Sequence, residues 1–444
     1  MKQILLLGAG LSTTSLINYL LNHAESENWF VRIGDINLKT IKKKIREHPR
    51  AEAVVFDICN LPDYLDLILG ADLIISMLPA SFHPLVAQAC MENNKNMVTA
   101  SYVSNEIREL DAQLKEKNLL FMNELGVDPG IDHMSAMKII DDIKNKGGKL
   151  LAFKSRTGGL VAPEYDNNPW NYKFTWNPRN VVLAGQGTSM FIRNGRYKYI
   201  PYNKLFSRLE YTSIQDVGGF EIYPNRDSLK YRPTYDLNDI PTIIRGTMRR
   251  PGFCEAWDVF VQLGLTDDSF TIENSENMTY RQFVNSFLKY DPGTVIEKKL
   301  PAYFGIDPKG EIMKKIEWLG LFEDELIGLK EATPAQILQK KLEEKWGLDP
   351  DDKDMIVMEH VLEWELEGKK FETRSSLVVK GINQVETAMA ITVGTPVAIA
   401  TKLILNGTIR RTGVQVPVKA DMYLPILEEL EELGIRFVEE TREV

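Results

Sequence analysis

The sequence predicts an α/β protein. A Rossmann-like, doubly wound parallel sheet is joined to a second α/β domain with a mixed or antiparallel sheet and a helical insertion. Short apolar runs alternate with helical patterns between Ile4 and a helix expected to begin near Ile131. The first run ends in the glycine turn Gly8-Ala9-Gly10. Between residue 150 and Pro251 the chain contains strand-like stretches, some of them aromatic and alternating, which predict a mixed or antiparallel sheet.

Bulk composition narrows the classes of protein. A chain of 444 residues exceeds what one hydrophobic core supports, so two or three domains are expected. A net charge of -9 argues against nucleic acid as a partner. Cys59, Cys90 and Cys254 lie far apart without metal-ligand spacing, indicate neither a disulfide framework nor a zinc site, and fit a reducing compartment. We find no signal peptide and no apolar run approaching roughly 20 residues, and expect a cytoplasmic protein without a membrane partner.

The glycine turn carries the first functional pattern. It follows the strand Ile4–Leu7 and opens a helix, which is the context of a dinucleotide fingerprint. Gly8 allows the tight turn, and Gly10 lets a pyrophosphate approach backbone N–H groups at the start of the helix. The third position of the fingerprint is Thr13 instead of glycine. A glycine turn that binds no nucleotide is therefore an alternative.

Two carboxylates end the next strands. Asp35, at the end of the second strand, is placed to bond the ribose hydroxyls of NAD and would repel the 2′-phosphate of NADP. Asp57 follows the third strand, where an adenine ring is commonly backed. Asp35 thus predicts a preference for NAD(H). NADP(H) stays possible because Lys39 and Lys42–Lys44 follow, although a solvated helix face is the simpler interpretation of these lysines.

The loop Asn123–His133 is expected to hold chemistry. It follows the apolar run Leu119–Met122 and contains two glycines, one proline and three carboxylates. Glycine lets a ligand approach the backbone, and Asp-Pro-Gly forces a turn. Loops at the carboxyl ends of parallel strands are where ligands bind in such sheets. The alternative is an ordinary turn into a helix that is capped by Asp132.

Arginines mark the second domain. The stretches Asn225-Arg226-Asp227 and Arg245–Gly252 are basic and predicted to be turn-like. Their four arginines suit an anionic ligand, because guanidinium pairs with carboxylate or phosphate through two parallel hydrogen bonds. Ion-paired surface arginines are the alternative. From Cys254 to about Trp346 the pattern is helical, and residues 387–400 form a small-residue helix expected to pack on the first domain.

We therefore predict three domains. The dinucleotide-binding domain is residues 1–131 with 388–444. The substrate-binding and dimerisation domain is residues 132–253 with 355–387. A helical inserted domain covers residues 254–354.

A series of motifs in one order spans essentially the whole chain. These motifs resemble those of saccharopine reductases, the L-glutamate-forming saccharopine dehydrogenases of aminoadipate-pathway lysine metabolism. The motifs are Gly8-Ala9-Gly10, Phe82-His83-Pro84, Ser101-Tyr102, Asn123–His133, Gly158-Gly159-Leu160, Tyr223–Ser228, Arg245-Gly246-Thr247 and Trp318–Phe322.

The resemblance implies a homodimeric oxidoreductase. It would interconvert saccharopine with 2-aminoadipate 6-semialdehyde plus L-glutamate, by hydride transfer with NAD(P)(H). By position, the family's substrate contacts fall on Ser101, Tyr102, Asp128, Arg226, Thr247, Met248 and Arg249. Its cofactor contacts fall on Gly8, Gly10, Leu11, Ser12, Asp35, Asp57, Leu78, Leu125, Gly126 and Val127, with Trp176 closing over the cofactor. No metal site is implied.

The catalytic hypothesis rests on two of these residues. Asp128 would stabilise the iminium or handle a water proton, and Tyr102 would donate a hydrogen bond. Thr157 stands where family members usually have cysteine, and Asp35 where NADP-using members have a basic residue. Two other functions stay open: a related imine reductase, such as a carboxynorspermidine-forming enzyme, and a non-catalytic dinucleotide-binding regulator.

Overall fold

The structure is a computed structural model that describes residues 1–444. The chain forms two compact units. Unit 1 consists of Met1–Leu150, Trp364–Phe371 and Leu377–Val444, and unit 2 consists of Leu151–Glu363 and Glu372–Ser376. The predicted three-domain division, with its boundaries, stays a prediction.

The amino-terminal part of unit 1 alternates strands and helices, as predicted. Its strands are β1 (Lys2–Leu7), β2 (Trp29–Asp35), β3 (Ala51–Val55), β4 (Leu73–Ser76), β5 (Asn96–Thr99) and β6 (Leu120–Met122). Its helices are α1 (Thr14–His23), α2 (Leu38–Ile45), α3 (Leu65–Leu69), α4 (His83–Glu92), α5 (Asn105–Glu109), α6 (Asp111–Glu116) and α7 (Ile131–Asn145). The apolar runs of β1, β4, β5 and β6 form strands because consecutive side chains are buried, on both faces of the sheet.

The next part of the chain builds the second sheet and the helical insertion. The strands are β7 (Lys149–Val161), β8 (Ser189–Arg193), β9 (Arg196–Ile200), β10 (Glu210–Ile214), β11 (Gly218–Pro224) and β12 (Thr242–Arg249). The helices are α8 (Pro178–Val182), α9 (Tyr231–Thr234), α10 (Phe253–Leu263), α11 (Tyr280–Ser286), α12 (Ile296–Phe304), α13 (Glu311–Trp318) and α14 (Pro334–Lys345). The helical character predicted between Cys254 and Trp346 is confirmed.

The chain then returns to unit 1 through a long hairpin. The closing elements are β13 (Asp354–Leu366), β14 (Lys369–Lys380), α15 (Ala388–Leu405), β15 (Gly413–Gln415), α16 (Ala420–Glu432) and β16 (Phe437–Glu443).

The first sheet has the order β15-β6-β5-β4-β1-β2-β3, and every neighbouring pair is parallel. The doubly wound parallel sheet is therefore confirmed. The order reverses between β1 and β4, and this switch point is where such sheets bind ligands. The seventh strand, β15, was not predicted, because a strand of three residues that begins with a glycine gives almost no periodic signal.

The second sheet is mixed, as predicted, in the order β10-β11-β12-β7-β13-β14-β16 with β8 and β9 attached beside β12. β11 and β12 are antiparallel, whereas β12 and β7 are parallel. One local prediction was wrong: the stretch that begins at Arg245 is not turn-like but continues β12 as far as Arg249. The neighbouring strands β11 and β7 pair with the backbone N–H and C=O groups of β12. A segment with charged side chains can therefore form a central strand of the sheet.

The small-residue helix α15 packs against α1, as predicted from its sequence. A Cβ atom at Gly394 would lie 2.9 Å from the Leu16 nitrogen and 2.9 Å from the Ser12 oxygen. Only glycine allows this approach. By length and composition alone, this helix of 18 residues could cross a membrane. The expectation that no apolar run approaches the length of a membrane span was therefore wrong. However, 67% of the helix is buried within the protein, as in the core helix of a globular protein.

Candidate active site

A cavity of about 230 Å³ opens in unit 1 at the switch point. Its walls come from the turns that follow three strands. The lining residues are Gly10, Leu11, Ser12 and Thr13 after β1, Ser76, Met77 and Leu78 at the end of β4, Ala100 and Ser101 after β5, and Val393 of α15. Five of the predicted contacts, Gly10, Leu11, Ser12, Leu78 and Ser101, therefore share one cavity.

The glycine turn has the geometry that a dinucleotide needs. Gly8 has φ +96°, and a Cβ atom there would lie 2.7 Å from the Met77 oxygen. A Cβ atom at Gly10 would meet nothing within 4 Å, so space remains open in front of the turn. The residues present therefore fit a bound dinucleotide at the start of the first helix.

The carboxylate of Asp35 serves the backbone. Its Oδ2 accepts a hydrogen bond from the N–H of Ala9 at 2.8 Å, and its Oδ1 accepts from the N–H of Asn37 at 2.9 Å. Asp57 likewise caps the short helical turn that follows it, accepting from the N–H of Cys59 at 3.0 Å. Both acidic residues therefore organise loops, and neither lines the cavity.

Lys44 reaches the glycine turn from α2. Its Nζ donates to the Gly10 oxygen at 2.6 Å and to Thr13 Oγ1 at 2.9 Å. Burial lowers the pKa of Lys44 to about 8, although the nearby Asp35 carboxylate acts to raise it. Of the lysines interpreted as a solvated helix face, Lys44 departs from that interpretation and supplies a cation beside the turn.

The loop Asn123–His133 is tightly fixed. The N–H of Glu124 donates to the Ser101 oxygen at 3.0 Å, and the N–H of Leu125 donates to the Thr99 oxygen at 3.2 Å. The peptide bond between Asp128 and Pro129 is cis. Among the predicted cofactor contacts, Leu125, Gly126 and Val127 are buried in this loop and do not line the cavity.

The two predicted catalytic residues lie together. The hydroxyl of Tyr102 donates to Asp128 Oδ1 at 3.3 Å. Tyr102 is 36% exposed, and Asp128 is partly exposed, so both remain accessible to a ligand within unit 1. This arrangement suits a carboxylate that holds or passes a proton next to a hydrogen-bond donor.

Sequence reasoning missed the role of His83, the first residue of α4. Its ring is buried, with Nδ1 at 2.8 Å from Ser76 Oγ and Nε2 at 2.7 Å from Ser101 Oγ. Thr99 Oγ1 lies 3.5 Å from Nε2. Burial lowers the pKa of His83 to about 4, so the ring is neutral at pH 7. The sequence motif Phe82-His83-Pro84 contains this residue, but it does not show which side chains the ring contacts.

A buried pair inside the loop was also missed. His133 Nε2 lies 2.6 Å from Glu124 Oε2, and Glu124 Oε1 accepts from the N–H of Val103 at 3.0 Å. The pair therefore ties the loop to the segment that carries Ser101 and Tyr102. Both residues stand in the sequence motif, but the motif alone does not show which polar side chains meet.

Unit 2 holds the predicted arginines. Strand register places Tyr223 opposite Thr247 and Glu221 opposite Arg249. Arg249 is 4% exposed and its guanidinium lies 5.1 Å from the ring centroid of Tyr172 and 5.4 Å from that of Phe253. Its Nη1 donates to the Met248 oxygen, but Nε has no hydrogen-bond partner.

This buried guanidinium forms no ion pair within 4 Å, although Glu221 lies near enough to interact electrostatically. The Glu221 carboxylate instead accepts from the N–H groups of Gly252 and Cys254. Thr157, beside Thr247 in the sheet, also has a buried hydroxyl oxygen without a partner. By strand alternation, Thr157 and Arg249 share one face of the sheet, and a buried guanidinium without an ion pair favours an anionic ligand there.

The remaining predicted residues of unit 2 occupy different settings. Arg226 is exposed and has φ 44°; its backbone oxygen accepts from the N–H of Met190 at 2.8 Å. The Met248 side chain is completely buried, and strand alternation directs it away from the face that carries Thr247 and Arg249. Trp176 is partly exposed in unit 2. The ligand roles of these residues stay predictions.

Comparison with known proteins decides the family. Residues 4–122 match the family described as saccharopine dehydrogenase NADP binding domain. Residues 126–435 match the saccharopine dehydrogenase C-terminal domain. The chain belongs to the saccharopine dehydrogenase family. The resemblance inferred from the sequence motifs is thereby confirmed.

Relatives of this saccharopine dehydrogenase family member match it from end to end. The saccharopine dehydrogenase (NADP(+), L-glutamate-forming) of Schizosaccharomyces pombe is 31% identical over 449 residues, covering 99% of each chain. The enzyme of the same description from Saccharomyces cerevisiae is 32% identical over 452 residues, again covering 99% of each chain. The structure of apo saccharopine dehydrogenase (L-Glu forming) from Saccharomyces cerevisiae matches with a TM-score of 0.90 at 31% identity, covering 100% of both chains.

The cofactor prediction was wrong. A preference for NAD(H) was inferred from Asp35, but the matching family domain is an NADP binding domain and both fungal relatives are described as NADP(+)-dependent. The structure supplies a physical reason. The Asp35 carboxylate accepts hydrogen bonds from two backbone N–H groups, and the Lys44 ammonium lies at the glycine turn. The negative charge of Asp35 is therefore partly offset, and it repels the 2′-phosphate of NADP less than the sequence suggested.

Proposed function

We propose that this protein is an L-glutamate-forming saccharopine dehydrogenase that uses NADP(H). It would interconvert saccharopine with 2-aminoadipate 6-semialdehyde and L-glutamate. The observation that carries the proposal is the cavity at the switch point, because the glycine turn forms one wall and Ser101 another. A nucleotide site and a predicted substrate contact thus meet in one place. The end-to-end similarity to fungal enzymes of this description supports the choice of substrate.

Residues of unit 1 would bind the nucleotide. The pyrophosphate would lie over the open space in front of Gly10, where helix-start N–H groups favour an anion. Lys44 would then neutralise the additional 2′-phosphate of NADP. When bound, the cofactor supplies the hydride that reduces the imine, or accepts it in the oxidative direction.

Residues of unit 2 would bind the substrate. Saccharopine carries three carboxylates, and Arg249 is a buried guanidinium that lacks an anionic partner. A carboxylate there would complete its hydrogen bonds and offset its burial. The exposed Arg226 supplies a further cation with a fork of N–H donors.

The proton chemistry would belong to Asp128. Forming an imine from an amine and an aldehyde removes water, which requires proton transfer at nitrogen and oxygen. Asp128 can hold a proton or stabilise the positive charge of the iminium, and the Tyr102 hydroxyl orients its carboxylate. The Thr157 hydroxyl could orient a water molecule, but it cannot replace a thiol as an acid or base.

Reduction of a polyamine imine is the competing function. The buried Arg249, which has no ion pair, disfavours it because a polyamine is itself cationic. A regulator without activity is disfavoured by the Tyr102–Asp128 pair.

The family resemblance also supports a homodimer.

The test is an assay of saccharopine-dependent reduction of NADP(+) and NAD(+), followed by the absorbance of the reduced nicotinamide, with glutamate measured as product. We expect glutamate release and higher kcat/KM with NADP(+). Nucleotide binding without turnover of saccharopine would overturn the proposed substrate, and would direct the search to other imines or to the regulator.

Lys44 predicts a pH dependence of cofactor choice. Its pKa is lowered to about 8, so its positive charge is present at pH 7 and disappears as the pH rises through about 8. We expect KM for NADP(+) to rise above that pH, while KM for NAD(+) does not follow it. Lys44→Met should raise KM for NADP(+) about tenfold at pH 7, the loss of one charged hydrogen bond.

Two variants sharpen this prediction. Lys44→Arg keeps its charge at all accessible pH values, so the rise in KM above pH 8 should disappear. Lys43→Met is the matched control, because Lys43 is exposed on the same helix. Equal effects of the Lys43 and Lys44 substitutions would show that only the general charge of α2 matters.

A further inference from the structure

His83 joins the carboxyl ends of two neighbouring strands through hydroxyl groups. Ser76 at the end of β4 and Thr99 at the end of β5 are register partners in a parallel pair. The imidazole lies over both, and its second nitrogen bonds Ser101 two residues further on. His83 is 2% exposed and does not line the cavity, so it cannot contact a ligand directly.

The two serines do line the cavity, and the side-chain hydroxyl of each forms its hydrogen bond with the imidazole. A neutral imidazole donates through one nitrogen and accepts through the other. One serine hydroxyl must therefore donate its hydrogen bond to the ring. The other hydroxyl accepts a hydrogen bond from the ring, so its own O–H can donate to a ligand in the cavity. The ring thus couples the donor or acceptor character of both hydroxyls.

We propose that His83 is a positioning residue for the reductase reaction, which fixes the direction in which the Ser101 hydroxyl presents its proton or its lone pairs to the substrate. Two short hydrogen bonds, of 2.8 Å to Ser76 and 2.7 Å to Ser101, support this role, and Thr99 Oγ1 completes the buried cluster at 3.5 Å from Nε2. Burial holds the ring neutral at pH 7, and only a neutral ring can accept from one serine while donating to the other. The kinetic test of this inference rests on the proposed function.

Substitutions of His83 separate the two ends of the ring. An asparagine amide reaches roughly the position of Nδ1 and keeps the contact with Ser76, whereas a glutamine amide reaches that of Nε2 and keeps the contact with Ser101. We expect His83→Asn and His83→Ala to lower kcat about tenfold, with a much smaller change in KM for NADP(+). His83→Gln should restore most of kcat. Equal losses for Gln and Asn would overturn the proposal in favour of a packing role.

A double-variant cycle isolates the route through Ser101. If His83 acts through this hydroxyl, His83→Asn should have little further effect on kcat in a Ser101→Ala background. Additive losses would show that His83 acts independently of Ser101. Thermal unfolding of each variant, measured alongside, separates instability of the fold from loss of positioning.

A spectroscopic measurement stands even if saccharopine is not the substrate. Wild-type inactivity in the assay would overturn the proposed function alone. In protein with ¹⁵N-labelled histidines, of which there are 5, we expect one protonated and one unprotonated ring nitrogen for His83 at pH 7. Ser101→Ala should shift the Nε2 resonance, and so should titration with NADP(+). A His83 ring that is insensitive to Ser101→Ala would overturn the inference.

Discussion

Asp128→Asn should lower kcat for saccharopine oxidation about a hundredfold, the usual scale for loss of a positioned acid or base. Asparagine nearly reproduces the shape of aspartate, but its amide can neither act as a general acid or base nor carry a negative charge. The hydrogen bond with Tyr102 at 3.3 Å can persist, so the local structure should survive. Steady-state kinetics should show an almost unchanged KM for NADP(+).

Two companion variants make this result interpretable. Tyr102→Phe should cost less than Asp128→Asn, because the carboxylate remains and only its orienting donor is lost. Asp66→Asn removes an exposed carboxylate of α3 in the same unit and should leave kcat unchanged. Full activity of Asp128→Asn would remove this residue from the proton chemistry.

Arg249→Met should raise KM for saccharopine about thirtyfold or more, since truncating one partner of a buried charged pair costs about 2 kcal/mol or more. Arg249→Lys should fall between methionine and wild type. Lysine keeps the charge but loses the planar fork and the stacking against Tyr172, Tyr223 and Phe253. KM for NADP(+) should change little in both variants.

The adjacent arginine provides the matched control. Arg250 donates to the backbone oxygens of Val217 and Gly219 and lies 4.6 Å from the ring centroid of Phe220. Arg250→Lys therefore perturbs a neighbouring guanidinium without removing the unpaired one. If it raised KM for saccharopine as strongly as Arg249→Lys, the selective role of Arg249 would be refuted. Methionine at position 249 could also stabilise the fold, which thermal unfolding would report.

The parallel sheet could be predicted because its signals are local. Each apolar run is followed by a turn and a helical repeat, and the glycine turn marks the first crossover. Gly8 and Gly394 show the limit of this reasoning, because the sequence identifies glycines but not the backbone atoms that approach them. β15 was missed because its pairing with β6 joins residues almost 300 positions apart.

The candidate site could be predicted in outline only. Strand ends, glycines and arginines indicate where a nucleotide and an anion would bind. Which partner each polar side chain takes depends on the fold: Asp35 bonds the backbone of the glycine turn, and Lys44 returns from α2 to that turn. The wrong cofactor preference followed from treating Asp35 as if its carboxylate were unoccupied. The role of His83 was missed because its hydroxyl partners follow two separate strands.

Because the chain returns to unit 1 late, the ribosome synthesises unit 1 in separate segments, before and after most of unit 2. The edge of β6 is completed by β15, and the outer face of α1 is covered by α15. The ribosome synthesises α15 and β15 only after Leu151–Glu363. At 5–20 residues per second, roughly ten to fifty seconds therefore pass between the synthesis of β6 and that of these two elements. During that interval an open strand edge and an apolar helix face are available to chaperones. We expect unit 2 to begin folding before unit 1 is complete.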